Sequence, residues 1–383
     1  MDSDLVHLPP NAASENSLND LLVRMLELGA SDMFIMGGTP VTCRVGSELR
    51  RLTDRRITDR AAFEFAKLIY GEPAQSLLGA GDRIDATYDL RVASPERGVR
   101  PRLHRWRVNI VSCVRSAHHS CTITMRPIAS TPPSIDTFDI PEQVADTIVK
   151  TSGGGLGLVV GPTGSGKTTT MAACLGHKLT LPGSFKNLVT IEHPIEFLYD
   201  QLPLEESICT QMEVGKNVSS FEDGIENAMR MTPTDIMLGE IRSFDTISSA
   251  IQGSMTGHFV LSTLHANSVP ETLQRIKTLY PAELQHAAIS EALQALKLIC
   301  AQRRIPSADG GTVAIREYLV LDHQIRTALS ASDRPVADAF EILESHGHPM
   351  IEDIRRIHAE GRITDLEYQR QVYNYDRTRK SNP

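Results

Sequence analysis

Gly161-Pro-Thr-Gly-Ser-Gly-Lys-Thr168 fits the spacing G-x-x-x-x-G-K-[ST] without a mismatch. Its glycines let the backbone turn tightly enough for several N–H groups to face one point. Lys167 adds an ammonium, and the Thr168 hydroxyl suits a hard cation such as Mg2+. Gly161, Pro162, Thr163, Gly164, Ser165, Gly166, Lys167, Thr168 and Thr169 would together cradle the phosphates of a nucleoside triphosphate. A glycine-rich turn with a chance lysine is the bland reading. Ionisable groups elsewhere fit the same chemistry. Thr190-Ile-Glu-His-Pro-Ile-Glu-Phe197 places Glu192 and Glu196 on either side of a proline, where a carboxylate would orient or deprotonate an attacking water. One of that pair reads equally well as a surface charge. Glu240, after Ile236-Met-Leu-Gly239, would hold Mg2+ through its water shell or, as a lone carboxylate, cap the next helix. His265, after Ser262-Thr-Leu264, would hydrogen-bond a terminal phosphate or serve as a structural histidine.

These groups need a scaffold, and the flanking sequence supplies one. Leu156-Gly-Leu-Val-Val160 reads as a buried strand running into the glycine loop, and Thr169 to Leu179 reads as the helix after it. A strand that turns into a helix this way aims the helix's positive end at the bound anion. Candidate strands follow at 156–161, 187–192, 235–240 and 258–265, alternating with helical segments, the pattern of a parallel sheet covered on both faces. Ligands bind outside the carboxyl ends of such strands, so Glu192, Glu240 and His265 are expected to converge near Lys167.

At 383 residues the chain is long enough for more than one domain, and 41% hydrophobic with 22% charged residues is the make-up of a globular protein. A net charge of −8 argues against broad nucleic-acid binding, and none is expected. No apolar run reaches membrane-spanning length and no signal pattern opens the chain, so a cytoplasmic protein without membrane insertion is expected. Cys43, Cys113, Cys121, Cys174, Cys209 and Cys300 form no C-x-x-C pair, which indicates neither a disulfide framework nor a zinc site.

The expected order is a flexible tail at 1–16, an α+β domain at 17–130, a linker at 131–140, an α/β domain with the phosphate loop at 141–322 and a helical extension at 323–383. In the α+β domain a helix carries Leu18, Leu21, Leu22, Met25, Leu26 and Leu28 on one face, and strands fall at 33–36, 41–45, 84–90, 105–114 and 120–125. Arg91 to Arg102 reads as a surface loop, and Thr131-Pro-Pro-Ser134 as the break into the next domain. Leu284 to Ile299 and Ala339 to Arg362 read as helical packing segments, with a short basic tail at Arg377 to Lys380.

The ordered set Gly161–Thr168, Thr190–Phe197, Leu238-Gly-Glu-Ile-Arg242 and Thr256–His265 resembles the Walker A, Asp-box, Walker B and His-box motifs of the secretion ATPase superfamily. Gly29-Ala-Ser-Asp32, Pro40, Arg44-Val45 and Arg105-Trp-Arg-Val-Asn109 extend the likeness into the first domain, so that it covers about 18–321. The resemblance implies a PAS-like α+β domain followed by a RecA-like P-loop ATPase domain, hydrolysis of ATP with Mg2+, and a homohexameric ring recruited peripherally to an inner-membrane secretion or conjugation complex. It implies Glu196 as catalytic base, Glu240 as the Walker-B glutamate and His265 as the His-box histidine. It also implies arginines given to a neighbour's phosphates, here Arg107, Arg115 and Arg126, each of which reads alternatively as a surface salt bridge.

Leu181-Pro-Gly-Ser184, Glu196–Asp200 and Ala314–Asp322 are most similar to the ATPase of type IVB secretion and of IncI-type plasmid conjugation. The compact layout is shared with pilus-retraction motors, which stand as the alternative. A DNA-handling RecA-like ATPase and a non-catalytic nucleotide-binding scaffold are more distant ones. His193, Ser243 and Phe34 depart from the family pattern, at positions where it often has Asp, Asp and His. None of them removes a group that hydrolysis needs.

Overall fold

The computed structural model describes residues 5–8, 13–92, 101–115 and 117–381, which group into two compact units, Met1–Ser130 and Thr131–Pro383.

The first unit runs α1 (Glu15–Glu27), β1 (Asp32–Met36), β2 (Thr42–Val45), β3 (Glu48–Arg51), α2 (Asp59–Tyr70), α3 (Ala74–Gly79), β4 (Ile84–Val92), β5 (Arg102–Arg115) and β6 (His118–Ile128). Ser14 and Thr58 start the two longer helices by accepting a hydrogen bond from the backbone N–H three residues on, which satisfies one of the donors a helix start leaves open. The strands form one antiparallel sheet in the order β3-β2-β1-β6-β5-β4. Along β5 the residues alternate: Trp106, Val108 and Ile110 are buried against α1 and α2 residues such as Leu22 and Phe65, while Arg107 and Val111 are exposed. The N-terminal segment expected to be a loose tail is instead anchored where it is described. Val6 donates its N–H to Leu52 O at 2.7 Å, and Leu8 is buried in the unit's core. Of the expected 91–102 loop, residues 93–100 lie outside the described residues, and Arg91, Val92 and Arg102 belong to strands.

The second unit runs α4 (Glu142–Lys150), β7 (Gly155–Val160), α5 (Lys167–Thr180), β8 (Asn187–Glu192), β9 (Ile208–Glu213), α6 (Phe221–Met229), β10 (Asp235–Leu238), α7 (Phe244–Met255), β11 (Phe259–Leu264), α8 (Val269–Leu279), α9 (Gln285–Ala295), β12 (Leu296–Pro306), β13 (Thr312–Val320), α10 (His323–Ser330), α11 (Pro335–His346), α12 (Met350–Ala359) and α13 (Asp365–Ser381). Its seven-stranded sheet has the order β13-β12-β7-β11-β10-β8-β9, parallel throughout except for the β12–β13 pair. Every residue of β7 and β11 is buried because helices cover both faces. Ile225, Ile247, Leu273 and Ala292 of α6 to α9 pack on one face, and Val144, Ile148, Met171 and Leu175 of α4 and α5 on the other.

The apolar stretch expected as one helix to Ile299 breaks at Ala295, and Leu296 and Ile299 lie on β12, paired in parallel with β7. Periodicity misleads there because Leu296-Lys-Leu-Ile-Cys-Ala301 also continues the helical face of Ala288 and Ala292. The basic stretch Arg377–Lys380 is the end of α13 rather than a separate tail. Among the described residues no helix is long and apolar enough to cross a membrane.

Candidate active site

The parallel register brings the carboxyl ends of β7, β11, β10 and β8 side by side: Val160 stands opposite Leu264, and Leu238 opposite both Ser262 and Ile191. The loop from Gly161 leaves the end of β7, and α5 begins at Lys167. Gly164 and Gly166 take φ of 79° and 88°, the left-handed region that a side chain resists. Gly161 is fixed by space as well, since a Cβ there would come within 2.1 Å of Gln302 O. Lys167 folds back over this loop and its Nζ donates to the Gly161 and Pro162 carbonyls, each at 2.9 Å. Ser165 Oγ is buried without a hydrogen-bond partner. A polar atom left open inside a glycine cradle, under an ammonium and beside a helix N-terminus, is a donor set that fits a polyphosphate.

Glu240 and His265 lie just past the ends of β10 and β11 rather than within them, because Leu238 and Leu264 close those strands. The connections are laced down by backbone bonds, Gly239 N to Ile191 O and Ile241 N to Thr263 O, both 2.8 Å, while Thr263 Oγ1 donates to Gly239 O at 2.7 Å. Glu240 consequently meets His265 Nε2 at 3.9 Å and Arg242 Nη2 at 2.6 Å. Burial pushes the Lys167 ammonium below its usual range, against the opposing charges of Glu240 and Glu196. His265 is pushed down by burial and by Lys167, with Glu240 working the other way. Lys167, Glu196, Glu240 and His265 therefore form one electrostatic cluster.

Glu192 is not part of it. It is 2% exposed, accepts from Thr190 Oγ1 at 2.7 Å, from Gln211 Nε2 at 3.2 Å and from the Glu196 N–H at 3.4 Å, and burial raises its carboxyl to about 7. The expected convergence on Lys167 is corrected accordingly: Glu192 is engaged with Thr190, Gln211 and the Glu196 N–H, and the carboxylates whose charges act on Lys167 are Glu240 and Glu196. Thr168 and Thr169 occupy the first turn of α5.

In the first unit Arg107 and Arg126 stand opposite each other on β5 and β6. Arg126 is 67% exposed and donates to Asp32 Oδ1 from Nε at 2.9 Å and from Nη2 at 2.8 Å. Burial pushes Asp32 up, but these bonds, one from Ser31 and the charges of Arg126 and Arg44 prevail and hold its carboxyl below the usual range. Arg115 is not with them. It lies eight residues further along β5, roughly 26 Å away on an extended strand. Its Nη1 sits 2.9 Å from Met36 Sδ.

Sequence reading missed Arg242 as the partner of Glu240, although it stands in the same motif. It also missed Gln302 and Arg316 behind the loop, for which the sequence signal is polar and charged residues inside two otherwise apolar strands. A cavity of about 790 Å3, lined by Lys277, Arg303, Glu317, Phe340 and Met350 among others, shares no residue with the loop.

The profile of the family described as "Type II/IV secretion system protein" matches residues 107–369. The chain belongs to this family. It is similar to the type IV pilus ATPase PilU of Pseudomonas aeruginosa, at 30% identity over 301 residues, 78% of this chain and 73% of that protein. Among solved structures it is similar to the ATPase DotB of Legionella pneumophila, with TM-score 0.78 and 31% identity over 97% of this chain and all of that one. The pilus retraction motor PilT, solved with bound ADP, gives TM-score 0.77 and 27% identity over 91% of this chain and 95% of that chain. As a member of this family the chain is an ATPase, of the kind that serves secretion and pilus machines.

Proposed function

We propose that this family member hydrolyses Mg-ATP as a homohexamer and works on an inner-membrane complex of type IVB secretion or conjugative transfer. The observation that carries the chemistry is the Lys167 cluster, in which an ammonium, two carboxylates and an imidazole face a glycine cradle at the end of a buried parallel sheet. Lys167 and the loop N–H groups from Thr163 to Thr169 neutralise the phosphates. Glu196 orients the attacking water and takes its proton. Thr168 and Glu240 would hold Mg2+, Glu240 through water, and the ion's contribution is further neutralisation of phosphate charge. His265, beside Glu240 and the Gly161 backbone, is placed to sense whether the terminal phosphate is present. Arg107, Arg115 and Arg126 are candidates for the charge that a neighbouring subunit adds to the transition state. Arg107 and Arg126 stand opposite each other and would act at one point, whereas Arg115 stands eight residues further along the strand.

The similarity to DotB over nearly the whole chain supports the type IVB reading. The similarity to PilU and PilT supports a pilus-retraction motor equally. Deleting the gene separates them: loss of protein or plasmid transfer favours the first, and accumulation of unretracted surface pili favours the second. The purified chain should release phosphate from ATP only with Mg2+ and should have the mass of six copies. A monomer with full turnover would end the ring reading.

A further inference from the structure

Behind the phosphate loop, Gln302 on β12 engages both polar atoms of its side chain. Nε2 donates to Ser165 O at 2.6 Å, and Oε1 accepts from Thr170 Oγ1 and from Arg316 Nε, each at 2.8 Å. Ser165 and Thr170 lie on either side of Lys167 in sequence, so one amide grips the loop before and after its cationic residue. Gln302 and Arg316 are direct partners across the β12–β13 pair, and both side chains are buried, at 3% and 1% exposure. Arg316 passes the connection on: Nη1 donates to the Asp139 carbonyl, and its own N–H donates to Asp353 Oδ2 at 2.8 Å. Asp139 Oδ2 accepts from Arg356 Nη2 at 2.7 Å and from Arg362 Nη1 at 2.5 Å. Arg356 also holds Asp353, at 2.7 Å and 3.0 Å, so the bonds close into a ring with two members on α12.

A guanidinium this deep is expensive to desolvate, and well-packed apolar residues would serve stability as well or better. Its value lies in what it connects. One end of the network is the loop that surrounds Lys167. The other is Asp139, on the segment by which the chain passes from the first unit into the second. Because Oε1 of Gln302 is shared between Thr170 and Arg316, a shift of the loop that turns the amide must disturb the bond to Arg316.

We propose that Gln302 and Arg316 are positioning residues that lock the phosphate loop to Asp139, so that occupancy of the loop is transmitted to residues 131–141 and α12. This rests on the ATPase reading above. The test is hydrogen–deuterium exchange of the intact protein with and without ADP or Mg-ATP, followed on peptides covering 161–170 and 135–140. In the wild type, nucleotide slows exchange in both. Gln302→Met, similar in length but without hydrogen bonds, keeps the loop response at saturating nucleotide and loses the response at 135–140, with turnover at saturating ATP down roughly tenfold, about one hydrogen bond's worth of positioning. Arg316→Lys keeps the buried charge but has no Nε for Gln302, and it gives the same split if Gln302→Met fails to fold. A response at 135–140 that survives in the variants, or that is absent in the wild type while the loop responds, overturns the proposal and leaves the ATPase reading standing. No response at 161–170 in the wild type overturns both.

Discussion

The phosphate loop and the arginine-bearing sheet of the first unit both carry cations, but they hold them in opposite ways. Lys167 is 9% exposed, bonded to two carbonyls and set against carboxylates in a desolvated frame. Arg126 is 67% exposed and bound to the one carboxylate of Asp32. A charge placed in a low-dielectric frame acts strongly and only there, whereas one on an open sheet face is screened and readily changes partners. The first arrangement suits chemistry at a fixed point. The second suits a contribution made to something that arrives and leaves.

The comparison breaks most visibly at Lys167. Lys167→Ala should lower ATP turnover by about three orders of magnitude or more, and retained phosphate release would remove the loop from the active site. Next come the carboxylates: Glu196→Gln and Glu240→Gln should each cost on the order of 100-fold in kcat with nucleotide binding preserved, and normal turnover in both would strip them of their roles. Arg107→Ala should cost roughly tenfold or more, and mixing its subunits with Lys167→Ala subunits should recover activity neither has alone. A mixture no more active than its components would place the arginine's action within one chain or nowhere.

The smallest effect concerns pH and sharpens the contrast. Burial raises Glu192 from 4.5 to about 7, so the folded state keeps a proton that the unfolded chain gives up, and this group's stability contribution is present below pH 4.5 and lost as pH rises through about 7. Asp32 is lowered from 3.8, so its contribution is present above that value and lost as pH falls further. Thermal unfolding against pH should therefore flatten between about 4.5 and 7 in Glu192→Gln, while Asp32→Asn should lower the curve by a constant amount above about pH 4 and change its slope only below that. Identical curves would mean that the two carboxylates share an environment.

The sequence made the strand ends around the glycine loop legible, because each hydrophobic run stops close to its ionisable residue. Asn187–Glu192 has the expected bounds, and the strands before Glu240 and His265 end within two residues of expectation. The arginines were legible as residue types on strands, but not as a pair and an outlier, since only the β5–β6 register decides which of them stand opposite each other. Glu192 was misplaced because a carboxylate at a strand's end reads the same whether it turns toward the ligand or toward Thr190 and Gln211. Gln302 and Arg316 leave no spacing signature, because their partners Ser165 and Asp139 are more than a hundred positions away.

The outer edge of the seven-stranded sheet carries one more consequence. Beyond β12, the N–H of Arg316 is taken by Asp353, and Tyr318 exchanges both of its backbone bonds with His348, at 3.0 Å and 2.9 Å. Groups that an open edge would offer to another chain are already occupied by the C-terminal helices and the turn that leads into them. Those helices act as a guard against aggregation: a protein cut before His348 would bare β13 as a template for self-association, and its first symptom would be precipitation during expression.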